Sequence, residues 1–202
     1  MPEDLITLGR AAAILDDNFD VPVSRGKVEM WVRTRLLTGL GDRVKEAEVR
    51  ALVGRSREVG WQDFPAAMVH RVSVAAPCAS VVRDRDGRVL RRRSGHDFVS
   101  ATKAPAVDAR GFEGVWPVAE DKLDEAVRVG GLLCATVKGY VGPGMLRRIV
   151  DHERTADGLV WFHTAADEEL ESFVGTGLMV PVTPGAKNRW EKDTVRAAAS
   201  RS

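Results

Sequence analysis

Cysteine is scarce in this chain: 202 residues contain two, Cys78 and Cys134, and no CxxC pair. Two thiols cannot build a disulfide framework, so stability must come from a packed core. Long apolar runs are also missing, and no window approaches the roughly 20 apolar residues of a membrane span. The start, Met1-Pro2-Glu3-Asp4-Leu5, has neither the basic n-region nor the apolar h-region of a secretory signal. These absences predict a reduced, cytoplasmic protein with no membrane contact. Internal repeats are lacking as well. What is present is ordinary for a globular chain, with 44% hydrophobic residues, 29% charged residues and a mean hydropathy of -0.17. Collagen-like and wholly disordered classes are excluded, and the length suits one large domain or two small ones.

The net charge of +1 hides an uneven distribution. Residues 1–95 carry 17 Lys and Arg against 13 Asp and Glu, whereas residues 96–202 carry 13 against 16. Within 23–57 the count is nine basic to four acidic. A basic end and an acidic remainder suit a polyanion-facing head, with a solvated arginine-rich surface as the alternative.

Periodicity divides the chain in the same place. Thr7 is a candidate N-cap for an Ala-rich helix with Leu8, Ala11, Ala12 and Leu15 on its apolar side. Asp16-Asp17-Asn18 breaks that helix. Ser24 then opens a second helix with Val28, Trp31, Val32 and Leu36 on one face, which predicts that Trp31 packs against the first helix. A third helix is expected over Val44 to Val53. Beyond about Trp61 the pattern turns to short strands, with Asp86-Gly87 and Asp157-Gly158 as hairpin turns. Short helices are expected over Ala119 to Val129 and Ala165 to Val174, with strands over Leu132 to Val141 and Leu178 to Val182.

Ala11-Ala12-Ala13, Ser24-Arg25, Trp31, the Gly-rich run Leu37-Thr38-Gly39-Leu40-Gly41-Asp42-Arg43 and the closing helix resemble the MerR and excisionase-type winged helix-turn-helix family. The resemblance covers about residues 5–54 and departs from the family in the long connection from Asp16 to Val23 and in a short wing. It implies double-stranded DNA as partner, with a homo-oligomer as the binding form. Ser24, Arg25 and Lys27 would face the groove, Arg33 and Arg35 the phosphates, and Arg43 the wing contact. Arg91, Arg92 and Arg93 offer further phosphate contacts. A plain three-helix cap with solvated arginines is the alternative on residues alone.

The body signals no catalytic centre. His152 and His163 fall on the two arms of the second hairpin and could meet across it, but no third ligand completes a metal site. His96-Asp97 follows the arginine run without a nucleophile nearby. Gly139 to Gly144 lacks the Gly-Lys-Ser/Thr ending of a phosphate loop and reads as a turn. The expected architecture is therefore α+β, with a three-helix (winged) helix-turn-helix head (1–57), a linker (58–69), a small, mostly antiparallel α+β domain (70–183) and a polar tail (184–202). The expected function is a sequence-specific DNA-binding protein, a transcriptional regulator or mobile-element factor, with no cofactor, metal or catalytic residues. The alternative is a small enzyme or ligand-binding α+β domain with an accessory helical head.

Overall fold

Leu5-Ile6-Thr7 forms strand β1 (Leu5–Thr7), and Thr7 then caps α1 (Leu8–Asp16), its Oγ1 accepting the Arg10 N–H at 3.2 Å. A computed structural model supplies these coordinates and describes residues 4–78, 81–91, 94–99, 114–183 and 185–194. Helix α1 buries Leu8, Ala11, Ala12, Ile14 and Leu15. The long connection that follows is tied down rather than loose: the Asp16 carboxylate accepts the Val23 N–H at 2.7 Å, the Asn18 amide donates to the Ile14 carbonyl at 2.7 Å, and Val21 and Val23 are buried. Helix α2 (Arg25–Arg33) buries Val28 and Trp31.

Strands β2 (Gly39–Leu40) and β3 (Arg43–Lys45) form a hairpin through Gly41-Asp42, with Gly41 at φ 64°, and β1 pairs with β3. A side chain at Gly39 would collide with Val32, so glycine lets β2 pass close over α2. Helix α3 (Glu46–Arg55) starts later than its hydrophobic pattern suggests because Val44 is claimed by β3, leaving Glu46 and Glu48 in the first turn. The N-terminal part is thus not a purely helical head: three helices are interleaved with a three-stranded sheet.

Strand β4 (Arg57–Glu58) leads through a single 3-10 turn (Trp61–Asp63) into β5 (Met68–Ser73). The segment expected as a linker places Val59, Phe64, Met68 and Val69 in the core. Hairpin β6 (Val82–Arg83) and β7 (Val89–Arg91) follows, then β8 (Gly114–Trp116), α4 (Leu123–Arg128), β9 (Leu132–Thr136), β10 (Tyr140–Val141), β11 (Leu146–Arg154), β12 (Val160–Ala165), α5 (Glu168–Val174), β13 (Leu178–Met179) and β14 (Asn188–Asp193). A six-stranded sheet runs β14-β5-β9-β11-β12-β8, antiparallel except for the β5–β9 pair. The fold is mixed α+β.

The expected polar tail is corrected in part, since β14 is an edge strand of that sheet. Trp190 stacks edge-on against His70 at 4.7 Å, and fully buried Arg71 pairs with Glu191 at 2.6 Å while donating to Ser73 Oγ and the Ala186 carbonyl. Residues 195–202 lie outside the described residues.

Two features join the N-terminal part to the body. Strand β4 pairs in parallel with β13, within the small sheet β10-β13-β4. Trp31, fully buried, donates its Nε1–H to the Val137 carbonyl at 2.7 Å and meets Tyr140 edge-on at 6.4 Å. Phe98 continues the aromatic contact to Tyr140 at 5.4 Å, and His96 to Phe98 at 4.5 Å. Trp31 therefore packs into the body as well as beneath α1, and one continuous core spans both parts.

A shared core makes unfolding a single event. Trp31→Ala should lower stability by about 3–5 kcal/mol, with far-UV circular dichroism and body-tryptophan fluorescence shifting together in urea. Two separate transitions in the wild type would refute the shared core.

Burial also shapes the acid limb of stability. Desolvation, reinforced by Arg71 and Lys122, pushes His70 from 6.5 down to about 3, and desolvation, opposed by Asp97, takes His96 to about 4. In the unfolded chain both imidazoles take up protons first, so their contribution is complete above pH 6.5 and is lost as pH falls toward those values. Each should steepen the decline by about 1.4 kcal/mol per pH unit. Urea denaturation between pH 6.5 and 5 checks this: His70→Leu and His96→Leu should each flatten the slope whatever their effect at neutral pH.

Candidate nucleic-acid interface

Acidic residues favour the positive N-terminal end of a helix. Helices α3, α4 and α5 obey, opening with Glu46 and Glu48, with Asp124 and Glu125, and with Glu168, Glu169 and Glu171. Helix α2 does the reverse: its first turn holds Arg25 and Lys27 and no acid. Ser24 occupies the N-cap position yet makes no side-chain capping bond. Two cations and the free amide hydrogens of a helix start therefore concentrate positive potential at one place, the arrangement that attracts a phosphate.

The expected contact residues divide into three groups. Ser24, Arg25, Arg33 and Arg43 are exposed and carry no side-chain hydrogen bond or ion pair among the described residues. Arg43 stands on the β2–β3 hairpin beside Leu40, which is 69% exposed at the hairpin tip. Glu29, one turn after Arg25, is the exposed acid of the same helix face.

Lys27 and Arg35 are engaged within the chain. The Lys27 ammonium is half-buried and donates to the Pro22 carbonyl; desolvation lowers its pKa against the opposing pull of Asp16. Arg35 closes α2 in a Schellman turn: its N–H bonds to the Val32 carbonyl, and the Leu36 N–H to the Trp31 carbonyl. Glycine is the usual residue at that left-handed position, but Arg35 holds it at φ 60° and binds Asp97 through both Nε and Nη2. Its guanidinium is thus a clamp on the body rather than an outward phosphate contact. Of the arginine run, Arg91 lies on β7, paired with Val82, while Arg92 and Arg93 lie outside the described residues.

One cation escaped sequence reasoning. Lys138 is exposed, sits in the left-handed region at φ 55°, and acts on Lys27 closely enough to help lower its pKa. The bond from Trp31 to neighbouring Val137 brings it there. Nothing local in the sequence signals this, because Lys27 and Lys138 are joined only through the Trp31 seam.

The body constellations come apart. The hairpin turn sets the β11–β12 register so that His152 faces Phe162 and His163 faces Asp151, and the bulge at Val150 lies beyond both pairs. The two imidazoles therefore lie on opposite faces; His152 bonds Asp124 at 2.9 Å, while His163 stacks on Trp161. Among the described residues no group of three or more His, Cys, Asp or Glu could hold a metal. Cys134 is fully buried, and desolvation pushes its thiol well above the ordinary range, so it is inert. No described helix is long and apolar enough to cross a membrane. In comparisons with known proteins the chain matches no family model, no curated protein and no solved structure.

Proposed function

We propose that the chain is a sequence-specific double-stranded DNA-binding protein, a transcriptional regulator or mobile-element factor, that reads DNA with the exposed face of α2. The observation that carries this reading is the α2 start, where Arg25 and Lys27 stand in place of the acidic residues that open α3, α4 and α5, and Lys138 adds a cation from the body. The order strand, helix, helix, hairpin, helix over residues 5–55 supports a winged helix-turn-helix arrangement, with β2 and β3 as a minimal wing. Arg25 and Glu29 are suited to base edges, because arginine pairs with guanine and a carboxylate accepts from the cytosine amino group. Lys138, Arg33 and Arg43 supply phosphate contacts. The resemblance to MerR and excisionase-type proteins further favours a homo-oligomer on DNA, which sedimentation with and without duplex would measure.

Because the core is shared, the fair test keeps the full chain. With about three side-chain phosphate contacts, log K should fall against log[salt] with a slope near -3. Lys138→Ala and Arg43→Ala should each reduce that slope by about one and weaken all duplexes alike. Arg25→Ala should lose about 1–3 kcal/mol on the preferred site and relax its specificity. Anisotropy titrations on a selected site and a scrambled duplex read both effects. Unchanged binding in the triple variant would overturn the assignment.

A further inference from the structure

Among the described residues the large apolar side chains left exposed are Leu40, Val81 and Val150, and Leu40 is the most exposed at 69%. A lone exposed leucine is ordinary; the mounting of this one is not. Gly39 and Gly41 flank it, and Gly41 takes φ 64° with open space where a Cβ would lie, so the tip is narrow. The hairpin behind the tip is anchored on three sides. Val44 of β3 is fully buried and pairs with Ile6 of β1. The Thr38 N–H donates to the Glu48 carboxylate at 2.6 Å, and the Leu8 N–H donates to the Asp42 carbonyl at 3.0 Å. Two neighbours give the tip a direction. Leu40 is the register partner of Arg43, so a guanidinium accompanies the apolar side chain. Gly39 fits against Val32, which follows Glu29 by three residues and so adjoins the exposed row of Arg25 and Glu29 on α2.

We propose that Leu40 is a wedge: with α2 in the major groove, the hairpin tip enters the adjacent minor groove, and Leu40 parts one base step and kinks the duplex. This rests on the DNA reading of α2 and deepens it, from where the chain binds to what it does to the duplex. Apolar side chains placed between bases exchange stacking for burial, and the exchange is easiest at the flexible pyrimidine–purine steps TA and CA/TG. Asp42, exposed next to Leu40, favours one of these. A·T pairs present only acceptors in the minor groove, whereas the guanine 2-amino group is a donor that a carboxylate can accept from. CA/TG is therefore the preferred step, and Arg43 meets a phosphate beside the kink.

The experiment uses the full chain and a duplex of about 30 base pairs, recovered by selection from a random library and carrying a dye at each end. Anisotropy reads binding, energy transfer between the dyes reads bending, and permanganate reads an unstacked thymine. The wild type should bend the duplex and expose the thymine of one CA/TG step. Leu40→Ala should straighten the duplex, protect that thymine and weaken binding about tenfold. Its salt slope should stay at the wild-type value, because leucine meets no phosphate, whereas Arg43→Ala lowers the slope. Leu40→Met, of similar volume, should keep the bend. With AA/TT in place of the step, the wild type and Leu40→Ala should bind alike. Leu40→Gln repeats the test with a polar side chain, so a folding defect peculiar to one variant does not decide the outcome. A straight duplex with the wild type, or equal bending and thymine reactivity in Leu40→Ala, would overturn the wedge and leave the DNA reading standing. Absence of wild-type binding to every duplex would overturn both. Dissociation of a dimer by Leu40→Ala without DNA would assign the tip to a contact between copies and overturn the wedge as well.

Discussion

The hydrogen bond from the Trp31 indole to the Val137 carbonyl is the constraint on which the rest of the arrangement turns. A tryptophan can be fully buried only if its N–H finds a partner, and here the partner belongs to the body, 106 residues away. That bond fixes the rotation of α2 about its axis. With Val28 and Trp31 turned inward, Arg25, Glu29 and Arg33 are turned outward without further choice. The same contact draws Lys138 toward Lys27 and lines Tyr140, Phe98 and His96 along the seam. The Phe98 N–H, bonded to the Thr34 carbonyl at 3.0 Å, and the Arg35–Asp97 pair lock the other end of α2. The N-terminal part is consequently not a module that could be cut away.

Local signals were legible where local chemistry decides. Thr7, the alanines of α1 and the Asp-Gly turns of both hairpins each act within a few residues, and each appears where the pattern places it. Signals failed where partners lie far apart in sequence. Strand β5, Met-Val-His-Arg-Val-Ser, shows little alternation because both its faces are buried and its polar residues are matched from outside, Arg71 by Glu191 and His70 by aromatic neighbours. Strand β14 reads as tail because an edge strand tolerates charge, and its charges serve that position. The separation of His152 from His163 depends on the hairpin register, since a slip of one residue would move a side chain to the opposite face. For the site, Arg25 and Arg43 were legible as exposed cations on predictable elements. The engagement of Lys27 and Arg35 was not, because Pro22 and Asp97 reach them only through the folded seam.

Two departures from local rules fall on α2. Its start carries cations where the dipole favours acids, and its end puts arginine where a left-handed turn favours glycine. A non-glycine residue in that region raises the free energy by about 1 kcal/mol or more. Such conflicts persist where something outside the helix makes use of them. At the C-terminal end the use is visible: Arg35 grips Asp97 with both nitrogens. At the N-terminal end no partner among the described residues neutralises Arg25, and an external polyanion is the group that would.

A helix of nine residues spans about 13 Å, so α2 is a short rod with its cationic start at one end and the Arg35–Asp97 pair at the other. DNA bound at the start and a ligand that reached the Arg35–Asp97 pair would act on the two ends of one body whose rotation is fixed by Trp31. Rigidity alone does not couple them. Coupling requires a second arrangement in which one ligand makes different contacts, and the Arg35–Asp97 pair is the contact best placed to differ, because it borders a cleft and is exposed at the guanidinium. If a ligand drew Arg35 from Asp97, the left-handed turn would lose its compensation and the end of α2 would be free to relax. Linkage then demands reciprocity: whatever factor such a ligand imposes on DNA affinity, DNA imposes on that ligand.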